Sequence, residues 1–195
     1  MGPDIELLTD TALVLAVVAS DVANFCDHVE HCEPANIEFV RESAATLRST
    51  ALRLGDACGR DAFELYAGRL GMIEARNVVS HPGSYDGASA ALAADSWREL
   101  QLVQVEHDRA YHPDIMGLPK AEQLRHYALH LAKLAGNTAA LVRGTVDEQD
   151  WLTRRVPDML LFGIKLATVS GQKLSDEALP RTAAPERVAP TFHAQ

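Results

Sequence analysis

The 195-residue chain reads as all-α, a helical bundle of about six helices with a disordered C-terminal tail. Two observations predict this class. Apolar residues recur at three- and four-residue intervals along most of the chain, and no stretch shows sustained apolar–polar alternation between hairpin turns. Composition supplies a bound: 47% hydrophobic and 23% charged residues suit an ordinary globular domain with one well-buried core. A single helical domain is expected over 1–179, in two halves, 1–79 and 88–179, joined by a loop at 80–87.

The first helix starts after Thr9-Asp10, either of which can cap it, and runs to about Cys32, where Glu33-Pro34 stops it. Its stretch from Ala12 to Ala19 is apolar nearly all round, which places it at the centre of the bundle or against a partner chain and makes a homodimer the expected assembly. Asn36 caps a second helix that ends near Leu54-Gly55-Asp56, and a third covers 60–78. The cluster of breakers from Ser80 to Gly87 is a loop. A fourth helix runs from about Ser89 to Tyr111 and stops at His112-Pro113, because a residue before proline is pushed out of the α region. Leu118-Pro119 opens a fifth helix that ends at Arg143-Gly144. After a short segment from Asp147 to Arg155, Pro157 starts a last helix that Gly171 stops. Residues 180–195 hold too few apolar side chains to pack and form the tail.

Charge and cysteine usage exclude several classes. With a net charge of −9, the chain has no general pull toward nucleic acid or an anionic membrane. The longest apolar run has eight residues, where a membrane span needs about twenty, and the acidic start lacks a cationic signal region. Three cysteines leave one unpaired under any disulfide scheme, so reduced thiols and a cytoplasmic setting are expected.

The fifth helix carries the most informative pattern. At 100° per residue, His126, His130, Lys133 and Asn137 fall within about 60° of one another, while Ala128, Ala132, Ala135 and Ala139 line the opposite side. Such a stripe is either a site or a solvated face. Tyr111-His112-Pro113 before a helix, Leu131-Ala-Lys-Leu-Ala-Gly136, and the run Val156-Pro-Asp158-Met-Leu-Leu-Phe162-Gly-Ile-Lys165 resemble the MazG-like all-α nucleoside triphosphate pyrophosphohydrolases over about 97–175. That resemblance implies a Glu-Glu-x-x-Glu cluster and a Glu-x-x-Asp pair that hold magnesium against a triphosphate. Here the first cluster reads Lys133, Leu134 and Asn137, and the second pair reads Arg155 with Asp158, so one acid survives. The resemblance therefore implies a degenerate member without a classical magnesium site. A nucleotide or other phosphorylated small molecule would be held by His126, His130, Lys133 and Asn137 with Asp158, Lys165 and Arg155, or Arg154.

Two other readings stand beside this one. Histidines at i and i+4 can chelate zinc or iron when further ligands arrive, here His112 and Asp114 joining His126 and His130 in a metal-binding enzyme or sensor. Asp21, Asn24 and His28 on the first helix are placed to meet the same stripe. The last reading is a structural homodimer without a ligand. Cys26 to Cys32 has no Cys-x-x-Cys spacing, Tyr111-His112-Pro113-Asp114 lacks the basic preceding helix of a J-domain, and Ser80-His81 lacks a nucleophile elbow.

Overall fold

The computed structural model describes residues 3–77 and 85–181. Among them the chain forms eight helices: α1 (Ile5–Glu30), α2 (Ile37–Ala57), α3 (Ala62–Asn77), α4 (Gly87–Ala93), α5 (Trp97–Tyr111), α6 (Pro113–Met116), α7 (Lys120–Val142) and α8 (Glu148–Val169). The one β contact described is an isolated bridge between Ser96 and Ala178.

Four helices close a square. α1 packs along α7, α7 along α8, α8 along α2 and α2 along α1. Neighbours run antiparallel. The end of α1 meets the start of α7 through Glu30 and Arg125 at 2.7 Å, and Arg41 and Arg48 of α2 reach the carbonyls of Ser170 and Gly163 in reverse order along α8. α3 and α5 pack on the outer side of α8. That arrangement buries α8 continuously from Val156 through Ala167, so α8 rather than α1 is the central helix. α1 buries one line, Leu8, Thr11, Leu15, Val18, Val22 and Cys26, while Leu13 and Val17 remain 63% and 59% exposed. A short apolar run points in every direction round a helix, and only the number of neighbours decides which directions are covered. The buried cluster draws on both halves of the chain, since α1 and α2 pack on α7 and α8.

The difference from six helices has local causes. Asp4 caps α1, its carboxylate accepting the Leu7 N–H at 2.7 Å, several residues before Thr9-Asp10. The expected fourth helix is split because Ser96 and Glu99 form a capping box, each side chain satisfying the other's backbone N–H, and this starts α5 afresh after α4. Pro113 begins the one-turn α6. Asp147 caps α8 by accepting the Asp150 N–H at 2.8 Å, and Pro157 lies inside this helix instead of starting it. An interior proline costs about 3 kcal/mol. Burial of the surrounding apolar side chains offsets that cost, because each contributes roughly 1.5–3 kcal/mol. Of the expected loop at 80–87, Tyr85 and Asp86 precede α4 and Gly87 begins it; residues 80–84 lie outside the described residues. Residues 182–195 of the expected tail also lie outside them. Arg181, assigned to the tail, is placed: its guanidinium donates to the Ala91, Leu92 and Ala94 carbonyls and sits 5.4 Å from the Phe63 ring centroid. Among the described residues, no helix is long and apolar enough to cross a membrane.

Gly163 sets the close approach of α8 to α2. A Cβ at this position would stand 2.8 Å from the Arg48 Cγ and 3.0 Å from the Ala44 carbonyl oxygen, whereas one at Gly136 on α7 would meet nothing within 4 Å. Gly163→Ala is expected to destabilise by about 1–3 kcal/mol. Gly136→Ala is expected to stabilise by up to about 1 kcal/mol through helix propensity. Thermal melts of the two variants check this, and equal effects would remove the packing argument.

Candidate functional site

A cavity of about 400 Å³ opens where α3, α7 and α8 meet the turn between α5 and α6. α8 brings Asp158, Leu161, Phe162 and Lys165 to it. Asp158 and Lys165 are seven residues apart, hence within about 20° of each other on the helix. α3 contributes Arg69, Met72, Ile73, Arg76 and Asn77, with Arg69 and Arg76 again seven apart. α7 contributes His126, Tyr127 and His130, and His112 and Ile115 close the remaining side.

Each interior charge has a fixed partner. The Arg69 Nε and Nη2 donate to the two Asp158 carboxylate oxygens at 2.6 and 3.4 Å, and Arg155 Nη1 stands 3.7 Å from the same carboxylate. Burial raises the Asp158 pKa, an effect that both guanidiniums oppose. Lys165 Nζ lies 2.8 Å from Asp108 Oδ1 and 5.7 Å from the Tyr127 and Phe162 ring centroids. Asp108 is held in turn by Gln104 Nε2 at 3.0 Å, and Gln104 Oε1 accepts from the Tyr66 hydroxyl at 2.8 Å. This buried chain anchors the lysine from behind. Arg76 is exposed and has no ion-pair partner among the described residues.

The imidazoles form an aromatic side of the cavity. His130 stacks on Phe162 with centroids 5.1 Å apart and a 29° interplanar angle, and the His126 ring tilts toward it at 4.7 Å. Burial pushes the His130 pKa down to about 4, with His126 and the lysines adding to the effect. Burial also lowers His126 and His112, assisted in both by Lys165. All three rings are therefore neutral at pH 7, each offering one donor and one acceptor. Behind them His107 is fully buried, with neither ring nitrogen hydrogen-bonded among the described residues; Glu74 Oε1 is 3.7 Å away. Desolvation pushes this ring down to about 4 as well, outweighing the nearby Asp108 and the Leu70 carbonyl.

Of the residues singled out in the sequence, His126, His130, Asp158 and Lys165 line one cavity, and Arg155 stands behind Asp158. Lys133 and Asn137 do not line it. Lys133 is exposed, and the Asn137 amide donates to the Lys133 carbonyl at 2.7 Å. The stripe drifts out of the cavity along α7, because the helix passes the end of the pocket after His130. Its expected alanine side is only partly covered, with Ala128 buried and Ala132 and Ala139 exposed. α7 instead buries Leu124, Tyr127, Leu131, Leu134 and Thr138. His112 joins the imidazoles, but Asp114 is exposed and outside the lining. Among the described residues no group of three or more His, Cys, Asp or Glu side chains is positioned to hold a metal ion. α1 supplies no lining residue, so Asp21, Asn24 and His28 take no part in this cavity within this chain. Sequence reasoning missed Arg69 and Arg76; their seven-residue spacing on one helical face was the available signal.

Fold and site together define a helical-bundle protein with a cationic, imidazole-lined cavity. No family model matches the chain, and no curated protein or solved structure is found to match it.

The buried neutral imidazoles link stability to pH. A ring whose pKa is lowered by folding contributes stability that is complete above the ordinary value near 6.5 and is lost as pH falls from there toward 4. Denaturant midpoints are expected to drop across that window, and to drop less in His107→Gln. A wild-type midpoint that stays level from pH 6.5 to 4.5 would contradict neutral buried rings.

Proposed function

We propose that the protein is a degenerate MazG-like helical protein whose cavity binds a nucleotide or another phosphorylated small molecule, without classical magnesium-dependent hydrolysis. The observation that carries this reading is the charge of the lining. Arg69, Arg76 and Lys165 reach the cavity, against one lining carboxylate, Asp158, that is already engaged by Arg69. A hard divalent cation needs several carboxylate oxygens, and guanidinium groups beside the single acid repel it. Phosphate oxygens, by contrast, suit a guanidinium fork and an ammonium group. The phosphate reading therefore rests on Arg69, Arg76 and Lys165, with Lys133 and Asn137 released from the role the resemblance implied. Cys26, Cys32 and Cys58 are all free thiols, in keeping with a cytoplasmic setting.

A homodimer belongs to the same reading. Leu13 and Val17 on α1 and Leu129 on α7 are each about 60% exposed on adjacent helices. α1 exposes Glu6 and Asp10 while α7 exposes Lys133 and its end Arg143, so a two-fold axis that lays α1 on the partner's α7 brings opposite charges together. Val17→Glu is expected to convert a dimer into a monomer in sedimentation velocity; a monomeric wild-type chain would dismiss the assembly.

The cavity is tested by thermal melts with inorganic phosphate, sugar phosphates and nucleotides, each in EDTA, magnesium or zinc. A ligand at 100 times its dissociation constant stabilises by about 2.7 kcal/mol, a shift of several degrees. The shift is expected to survive EDTA, to shrink in Arg76→Gln and to grow in Asp158→Asn, which releases Arg69. A shift with zinc alone would favour the histidine metal site, and an unmoved dimer would favour a structural role.

A further inference from the structure

The identity of the ligand follows from what the cavity leaves unsatisfied, given the phosphate reading above. Arg69, Arg76 and Lys165 line it with Asp158, and Arg155 and Asp108 stand behind as ion-pair partners, so four cations exceed two carboxylates by two positive charges. Two exposed charges that act on His126, Asp114 on α6 and Lys133 on α7, are of opposite sign. A single phosphate monoester carries about −1.5 to −2 at neutral pH and matches that surplus. Further phosphates would enter without cations to receive them.

The other side of the cavity asks for something different. The ring nitrogens of His112, His126 and His130 make no hydrogen bond to protein among the described residues. Neutral imidazoles present acceptors as well as donors, and phosphate oxygens satisfy only donors. An occupant that excluded water from these rings while leaving their acceptors unmet would lose binding energy. The His130 ring, backed by Phe162 at 29° and flanked by His126 at 56°, also offers an aromatic surface next to the cationic end. Planar groups gain on such a surface through offset stacking.

We infer that the cavity takes a nucleoside monophosphate, with its phosphate on Arg69, Arg76 and Lys165 and its base against His126 and His130. A nucleobase supplies both a flat face and an edge of mixed donors and acceptors. A sugar phosphate lacks the first, and a free nucleoside lacks the anion.

Calorimetric titration of the full chain in EDTA tests this, using the four common ribonucleoside monophosphates, their triphosphates, adenosine, ribose 5-phosphate and inorganic phosphate. At least one monophosphate is expected to bind tenfold or more tightly than ribose 5-phosphate and adenosine, and no more weakly than its triphosphate. His126→Ala, a half-exposed position whose folding a melt verifies, is expected to reduce monophosphate affinity severalfold without changing inorganic phosphate binding. Triphosphates binding tenfold tighter, or ribose 5-phosphate equalling every monophosphate, would overturn the inference while leaving the phosphate site standing. No binding of any phosphate compound, inorganic phosphate included, would overturn both.

Discussion

Burial of α8 on every side is the constraint on which the rest of the structure depends. Twelve consecutive residues from Val156 to Ala167 are buried, and two of them, Asp158 and Lys165, are ordinarily charged. Leaving a charge in such a place without a partner is costly. Asp158 therefore fixes Arg69 on α3, and Lys165 fixes Asp108 on α5. The two ion pairs lie on the outer face of the four-helix square and hold the additional helices in register with it. Hydrophobic contact attaches α3 and α5 to α8 without direction, whereas the charges specify which turn meets which.

The same pairs shape the cavity. Because Lys165 is held from behind by the Asp108, Gln104 and Tyr66 chain, it keeps its position beside the aromatic rings without needing a ligand. Arg69 is likewise held by Asp158. Such preorganisation lowers the ordering cost of binding, although each paired cation offers less charge than a free one. Arg76, without an acidic partner among the described residues, keeps its full charge. The histidines follow the opposite logic. Burial and neighbouring cations keep them neutral, so they act as polar aromatic surfaces rather than as further charges.

The helical class, the second, third and fifth helices and the stop at Gly171 were legible because caps, breakers and apolar spacing act within a few residues of one another. Asn36 caps α2 through the Glu38 N–H, and Gly144 and Gly171 adopt positive φ after α7 and α8. The Ser96–Glu99 capping box and the Asp4 and Asp147 caps were equally local and could have been read, which would have divided the fourth helix and lengthened the first and last. Pro157 could not. Its local preference points to a helix start, and only the burial of α8 between two layers reverses it.

By itself the sequence determined an all-helical chain and a histidine pair on one face of α7 with Asp158 and Lys165 on one face of α8. Those are consequences of composition and of a period of 3.6 residues. The tertiary structure alone decided that these two faces meet, that α3 adds Arg69 and Arg76 between them, and that Lys133 and Asn137 fall outside. Helical periodicity fixes the direction of a side chain about its own axis, but crossing, rotation and axial offset between helices arise from packing among residues far apart in the chain.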